Sequence, residues 1–138
     1  MRRKSKKVEA PIKCIVFLSS LEMDDWDKAK RKEDRQLKYI NTYAKKHSLI
    51  AMEIVRRGCF GAMETNRILN DVIRKMDSGK ADAILVANAL SISKGVADAY
   101  SKIGKVIEAG HRFITVDEGE LYFRLYDPES GEVVKDGH

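Results

Sequence analysis

The sequence has few of the residues that build disulfide-stapled or metal-binding proteins. Its 138 residues include two cysteines, three histidines, two prolines and one tryptophan. Cys14 lies in an apolar run and Cys59 in a glycine-flanked loop, without CxxC spacing, so both are expected to be free thiols. The three histidines, which are His47, His111 and His138, lack paired ligand spacing. We therefore expect no metal site and no cofactor.

Long hydrophobic runs are also missing. No apolar stretch approaches the roughly 20 residues that span a bilayer, and no hydrophobic segment follows the basic start as it does in a signal peptide. The expected location is the cytoplasm. A length of 138 residues with 43% hydrophobic content suits one domain with a real core. We predict a single domain over residues 11–138, without a helix-turn-helix domain.

The charge balance is positive, and the excess is concentrated at the start of the chain. Lys and Arg number 26 against 21 Asp and Glu, which gives a net charge of +5. Residues 1–7 alone carry five cations and no acid. We predict a flexible basic arm over residues 1–10, which either contacts phosphates or only aids solubility. DNA binding through such charge would be weak, non-specific and dependent on salt.

Strand and helix patterns alternate at short range, which is typical of βαβ units in a parallel sheet. Apolar runs predict the strands, and apolar positions at helical spacing predict the helices. The predicted strands cover residues 12–18, 49–55, 82–87 and 112–116, and the predicted helices cover residues 33–47, 66–78 and 94–109. This order predicts a three-layer α/β fold with a mostly parallel central sheet and helices on both faces.

Three further segments have patterns of their own. Residues 21–33 are crowded with charge and predict a mobile loop that leads into the first helix. Asn66 is predicted to cap the second helix. In the tail, apolar residues alternate on either side of Asp127-Pro-Glu-Ser-Gly131, which predicts a C-terminal β-hairpin over residues 121–134.

Polar residues follow three of the predicted strands. Ser19 and Ser20 follow the first strand, residues 56–67 the second and residues 88–94 the third. Because ligands of open parallel sheets bind beyond the carboxyl ends of the strands, these three loops are expected to meet at one site. The alternative is that the serines only form turns or cap helices.

Three motifs extend this pattern over residues 12–120. They are the strand Ile15-Val-Phe-Leu-Ser-Ser20, the loop Gly58-Cys-Phe-Gly61 followed by Arg67, and the strand Gly79-Lys-Ala-Asp-Ala-Ile-Leu-Val86. Together they resemble the resolvase/invertase catalytic domain of serine recombinases. The resemblance implies a resolvase-like fold and site-specific DNA recombination.

The same resemblance assigns roles to four residues. Ser19 matches the nucleophile that attacks DNA, and Gln36 matches a glutamine near the start of the first helix. Arg67 matches an arginine that leads into the second helix. Lys94 stands where the family has an arginine after the third strand. These four residues are the predicted catalytic site.

Several catalytic residues of the family are replaced in this chain. Phe17 stands where the first motif has an arginine, Arg56 and Phe60 replace an aspartate and a serine of the second, and Ser91 replaces an arginine of the third. Lys94 keeps a charge but lacks the bidentate geometry of arginine. The family reaction uses no metal, so arginines must neutralise the phosphate while the serine forms a 5′-phosphoserine link. Losing two such groups independently would slow the reaction roughly 10⁴-fold.

Two functions of different classes follow. The first is a catalytically impaired, recombinase-like module that binds or regulates, with an intact recombinase, a second copy of itself or DNA as its partner. The second is active DNA cleavage and rejoining through Ser19, with Ser20 as a rival nucleophile and Arg56 or Arg57 as a substitute source of charge. A small-molecule or nucleotide site at the same strand ends is a weaker alternative, because residues 58–61 lack the Walker lysine pattern.

Overall fold

A computed structural model describes residues 10–122 and, beyond them, residues 124–127 and 132–135. The basic arm predicted over residues 1–10 lies, except for Ala10, outside the described residues. The turn of the predicted hairpin, at residues 128–131, lies outside them as well.

Strands and helices follow one another in the predicted order. The strands are Ile12–Leu18 (β1), Leu49–Arg56 (β2), Ala83–Val86 (β3), Arg112–Thr115 (β4), Gly119–Leu121 (β5), Arg124–Asp127 (β6) and Glu132–Lys135 (β7). The helices are Trp26–Lys46 (α1), Ala62–Asp77 (α2) and Val96–Glu108 (α3), with a short 3-10 helix at Ala89–Ile92. Within the described ranges, none of the helices is both long and apolar enough to cross a membrane.

The first five strands form one sheet in the order β2-β1-β3-β4-β5, in which β1 to β4 are parallel and β5 runs antiparallel to β4. Two buried apolar clusters lie on opposite faces of this sheet, one beneath α2 and α3 and the other beneath α1. Consecutive side chains of β1 enter different clusters, Phe17 the first and Val16 the second, which explains the continuous apolar run of this strand. The predicted three-layer α/β fold is confirmed.

Helix α1 begins at Trp26, so the mobile loop predicted over residues 21–33 is wrong from Trp26 onward. The Asp25 side chain caps the helix by accepting the N–H of Lys28 at 3.1 Å. Lys30 and Asp34 form an ion pair at 3.1 Å on the exposed side. The dense charge of this segment is therefore the solvated face of an amphipathic helix.

Helix α2 begins at Ala62, so the predicted capping role of Asn66 is wrong. Gly61 occupies the N-cap position, and its C=O accepts the N–H groups of Glu64 and Thr65 at 3.1 and 3.2 Å. The carboxylate of Glu64 in the first turn complements the positive end of the helix dipole. Helix α3 agrees with its predicted range to within two residues at either end.

The tail contains one strand more than predicted. β5 pairs with β4 after a tight turn in which Thr115 Oγ1 accepts the N–H of Glu118 at 2.7 Å. Leu121, predicted to open the hairpin, belongs to β5 because it pairs with Phe113. The hairpin itself is confirmed in β6 and β7, which pair antiparallel over four residues each.

Both cysteines are free thiols, as predicted. Cys14 is buried within β1, whereas Cys59 is half-buried in the loop after β2. Burial raises the pKa of Cys14 to about 12, so this thiol stays protonated at neutral pH.

Candidate functional site

Ser19 follows β1 at the carboxyl edge of the sheet and is 0% exposed. Gln36, on α1, holds the backbone of this residue with both ends of its amide. Its Nε2 donates to the Ser19 C=O at 2.7 Å, and its Oε1 accepts the Ser19 N–H at 3.0 Å. Gln36 therefore satisfies both backbone groups of Ser19, as the backbone of a neighbouring β-strand would.

An arginine from the adjacent strand contacts the Ser19 hydroxyl. The parallel register pairs Leu18 with Arg56, which places the next residue of each strand, Ser19 and Arg57, side by side. The Arg57 N–H donates to the Leu18 C=O at 2.9 Å. Its side-chain Nε donates to Ser19 Oγ at 3.0 Å.

The other donors of the Arg57 guanidinium bind two further segments. Nη2 donates to the C=O of Glu22 at 2.6 Å, and Nη1 donates to the C=O of Phe60. Arg57 is only 1% exposed. One side chain thus ties together the end of β1, the segment before α1 and the loop after β2.

Arg57 carries a buried charge that no acid neutralises directly. Among residues 10–122, no carboxylate lies within ion-pair distance of its guanidinium. Two acids act on it from farther away, but each is paired elsewhere, Glu33 with Arg56 at 3.5 Å and Glu22 with Lys32 at 3.2 Å. Burial lowers the pKa of Arg57, yet a guanidinium remains charged near neutral pH. The buried charge is therefore stabilised by hydrogen bonds to neutral oxygens and by these two more distant carboxylates, without a direct ion pair.

The loop after β2 requires glycine at position 58. Glu33 Oε2 accepts the Gly58 N–H at 2.8 Å, and the backbone there has a φ of +65°. A Cβ on this residue would lie 2.6 Å from Cζ3 of Trp26, whose indole also contacts the ring of Phe60 edge-on at 5.2 Å between centroids. Glycine meets both the conformational and the spatial requirement.

Substitution of this glycine tests the account of the loop. Gly58→Ala is expected to lower the free energy of unfolding by about 1–2 kcal/mol, because alanine is strained in the left-handed conformation and crowds the indole. Urea denaturation followed by circular dichroism measures the change. Gly95→Ala is the matched control, since its backbone is extended and nothing lies within 4 Å of the added Cβ. Equal losses in both variants would contradict the prediction.

Arg57 also lines a cavity of about 270 Å³ that is bordered by the first turns of α2 and α3. The other charged lining residues are Lys94, Lys102 and Asp98. Lys102 is 4% exposed and donates to the Asp98 carboxylate, which also accepts the backbone N–H of Lys94 at 2.9 Å. These two bonds hold the pKa of Asp98 below its usual value. The remaining lining residues are Leu21, Met23, Thr65, Asn66, Ile92 and Ser93.

The predicted convergence of three loops is confirmed by this cavity, because its walls come from the segments after β1, β2 and β3. Of the four predicted site residues, Gln36 contacts Ser19, and Lys94 shares the cavity with Arg57. Arg67 does not line the cavity. Its side chain is 64% exposed, and in the described part of the chain its hydrogen bonds go to Glu64, at 2.9 Å for Nε.

Ser20, the rival nucleophile, lies in a different environment from Ser19. It is half-buried and lines a separate cavity of about 450 Å³ together with Lys32 and Arg35. Its Oγ accepts the N–H of Glu22 at 3.2 Å, which is the hydrogen bond of a serine turn. Ser19 thus contacts Arg57, whereas Ser20 shares a cavity with Lys32 and Arg35.

Arg57 is the residue that sequence reasoning did not single out, since it entered only as one of two adjacent arginines able to supply charge. The parallel pairing of β1 and β2 was a signal that one of the two arginines lies beside Ser19, but a regular register would have selected Arg56. No group of three or more side chains able to hold a metal ion occurs among the described residues.

The fold is similar to that of serine recombinase catalytic domains. The N-terminal catalytic domain of TP901-1 integrase matches with a TM-score of 0.61 at 16% identity, over 78% of this chain and 79% of that one. A resolvase family site-specific recombinase from Streptococcus pneumoniae matches with a TM-score of 0.64 at 16% identity, over 78% and 74%. The C-terminal catalytic domain of ISC1926 TnpA, an IS607-like serine recombinase, matches with a TM-score of 0.55 at 12% identity, over 76% of this chain and 67% of that one.

These three structures confirm the resemblance at the level of the fold. No protein-family model matches the chain, and no curated protein matches it in sequence. The roles of individual residues therefore depend on the geometry of the site.

Proposed function

We propose that this chain is a serine-recombinase-fold module that binds or regulates and is impaired in DNA cleavage. One observation carries the proposal: the Ser19 hydroxyl is fully buried and accepts a hydrogen bond from the buried Arg57 guanidinium. The same guanidinium holds the backbone of Glu22, in the segment that follows Ser19. Exposing the hydroxyl to a phosphate would require breaking these bonds.

Activation of a serine nucleophile requires a group that takes its proton. Arg57 is the side chain that contacts Ser19 Oγ within residues 10–122, and a guanidinium has no acceptor site for a proton. Attack also requires the hydroxyl to approach the reacting phosphorus to about 3–3.5 Å. Burial and the absence of a contacting base both argue against Ser19 as a nucleophile.

The charges that would stabilise the transition state are also missing from their expected places. Phe17 lies within an apolar cluster, with 0% of its surface exposed, where the family motif has an arginine. Arg67 points to Glu64 on the helix surface. Of the two cations in the predicted catalytic site, Arg67 and Lys94, Lys94 lines the cavity, and a lysine does not provide the bidentate geometry of arginine.

The proposed partners are an intact recombinase or a second copy of this chain, with weak and non-specific DNA binding. A patch of exposed apolar residues on the α3 side supports a protein partner, since such patches mark contact sites. Leu90, Val96 and Tyr100 are exposed there around a cavity of about 260 Å³. The cytoplasm remains the expected location.

The test is incubation of the purified protein with a panel of nicked and suicide DNA substrates, followed by a denaturing gel and mass spectrometry for a phosphoserine link. We expect no covalent adduct, and a Ser19→Ala protein that behaves like the parent. An intact serine recombinase treated in parallel must form its adduct. A Ser19-dependent adduct would overturn the proposal.

Active strand cleavage is the second candidate, and the Arg57 contact is the observation that favours it. Arg57 could supply the positive charge that Phe17 removes, with Lys94 beside it at the cavity. In that case Arg57→Met would abolish an adduct formed by the parent. An adduct on Ser20 instead would place the active site in the cavity that contains Lys32 and Arg35.

A further inference from the structure

Helix α1 presents a row of cations on its solvent side. Four exposed residues share one face of the helix, because they are spaced four, three and seven positions apart: Arg31, Arg35, Lys38 and Lys45. This face lies opposite the buried side chain of Ile40, which packs in the core. We call the four residues the basic stripe. At 1.5 Å per residue, the stripe extends over about 21 Å.

No carboxylate pairs with the basic stripe. In the described part of the chain, none of its four side chains forms an ion pair. Asp34, on the same helix, pairs instead with Lys30 at 3.1 Å and with Arg56 at 2.9 Å. Asp27, one turn before Arg31, forms no ion pair with it. Because like charges three or four positions apart on a helix repel each other, the stripe destabilises α1 slightly.

The helix itself explains only the last residue of the stripe. Lys45 lies in the last turn, where a cation complements the negative end of the helix dipole. Arg31, Arg35 and Lys38 lie farther from that end, and the dipole effect is confined to the last turn. A polyanion that lies along the stripe would remove the repulsion between these three side chains.

The charge of the chain is concentrated in two segments. Residues 1–7 carry five cations and no acid, and α1 carries eight cations and three acids. Each segment therefore has a net charge of +5, which equals that of the whole chain, so the rest of the sequence has a net charge of −5. A positive potential limited to one helix and one adjoining segment is typical of a surface that binds a polyanion.

Residues 1–7 precede the domain at a point beside the far end of the stripe. Because α1 connects two parallel strands, it runs back along the sheet, and its last turn lies toward the edge at which β1 begins. At this edge the N–H of Ile12 donates to the C=O of Ser48, two residues past the end of α1, at 2.9 Å. The five cations of residues 1–7 are thus attached next to the last turn of α1.

We propose that the basic stripe, extended by residues 1–7, binds the phosphodiester backbone of a nucleic acid duplex without reading its sequence. The inference rests on the proposed function, which includes weak and non-specific DNA binding. It assigns that binding to the outer face of α1 and not to the cavity beside Ser19.

Other polyanionic partners fit this surface less well. A helix that lies in a membrane surface inserts its apolar side, but the apolar side of α1 packs on the sheet through Ile40 and Ala44. Proteins that bind single strands stack the bases on aromatic side chains. The stripe contains none, and the hydroxyl of Tyr39, beside it, is bound to Asp117. A duplex holds its phosphates in regular rows, which match a straight row of cations.

The test is the salt dependence of duplex binding. Fluorescence anisotropy with labelled duplexes of about 20 base pairs and the full chain is expected to show that log K falls linearly with log salt. Arg31→Gln combined with Lys38→Gln should reduce the slope by about 2, because each lost phosphate contact removes about 0.9. The affinity at about 0.1 M salt should fall tenfold or more. Neither residue lines the cavities beside Ser19 and Ser20.

Lys80→Gln combined with Lys105→Gln is the matched control, since it removes the same charge from exposed lysines outside the two basic segments. It should change the slope by less than about 1. Arg2→Gln combined with Arg3→Gln should reduce the slope by about 2, and an unchanged slope would overturn the role of residues 1–7. Two duplexes of unrelated sequence should bind within about twofold of each other.

Urea unfolding checks that the stripe variant remains folded. Its midpoint should equal or exceed that of the parent, because the substitutions relieve repulsion within α1. A lower midpoint would show that these cations stabilise the helix and would contradict the argument for a ligand.

Further outcomes separate the possible ligands. Equal slopes in the stripe variant and the parent, or equal reductions in the stripe variant and the lysine control, would overturn the proposal. Stripe-dependent binding to polyglutamate, or to vesicles of equal parts phosphatidylcholine and phosphatidylserine, that is as tight as duplex binding would overturn it as well. DNA and RNA duplexes both present the proposed backbone, and the one bound more tightly identifies its source. A Ser19-dependent DNA adduct, in contrast, would overturn the proposed function whatever the stripe variant does.

Discussion

Arg57→Met is expected to lower the free energy of unfolding by about 3 kcal/mol. The substitution leaves Ser19 Oγ and the C=O groups of Glu22 and Phe60 without their buried donor. An unsatisfied buried group costs about 1–3 kcal/mol, which applies in full to Ser19 Oγ and in part to the two partly buried carbonyl groups, and the relief of burying the Arg57 charge offsets some of this loss. Urea denaturation, followed by the fluorescence of the single tryptophan and by circular dichroism, measures the change.

Arg67→Met is the matched control for this prediction. Arg67 is exposed and pairs with Glu64 on the surface of α2, so the control should leave the unfolding midpoint unchanged. If Arg57→Met were as stable as the parent, the desolvation of Arg57 would outweigh its hydrogen bonds. That result would contradict the prediction and would indicate a charge kept for binding at a cost in stability.

Phe17→Ala is expected to be the most destabilising single substitution, with a loss of about 3–5 kcal/mol in the free energy of unfolding. Phe17 is fully buried in the apolar cluster beneath α2 and α3, so truncation leaves a cavity in the centre of the domain. Denaturant unfolding measures the loss. If the alanine variant fails to fold, Phe17→Leu, with an expected loss of about 1 kcal/mol, keeps the prediction measurable.

Tyr100→Ala provides the matched control, because its aromatic ring lies on the surface of α3. It should leave the stability close to that of the parent, since little buried surface is lost. Similar losses in Phe17→Ala and Tyr100→Ala would mean that Phe17 does not occupy the core.

The order of the strands and helices and the layer architecture were predictable from periodicity. β1 is an unbroken apolar run because both of its faces are covered, and the amphipathic pattern of α3 matches its buried side chains. The same reasoning failed for the start of α1. A charged segment with an Asp25 cap and a solvated face has the composition of a loop, and only burial of Ala29 and Glu33 on the inner side distinguishes it.

Part of the candidate site was predictable from the geometry of a parallel sheet. Parallel strands end at one edge of the sheet, so Ser19, the loop after β2 and Lys94 were expected to meet. Arg67 was expected to join them, but it lies on the outer surface of α2 and pairs within its own helix. The helix begins four residues earlier than predicted, which places Arg67 in its second turn and not in its first.

By itself, the sequence determined the α/β class and the edge of the sheet at which polar residues collect, because both follow from local periodicity. The tertiary structure alone decided which arginine reaches Ser19. The β1–β2 register shifts between Cys14 and Ile15 and skips Met52 of β2. Without this irregularity Arg56 would stand beside Ser19, and with it Arg57 does. Pairing between strands 37 residues or so apart depends on the packing of both faces, which no local pattern encodes.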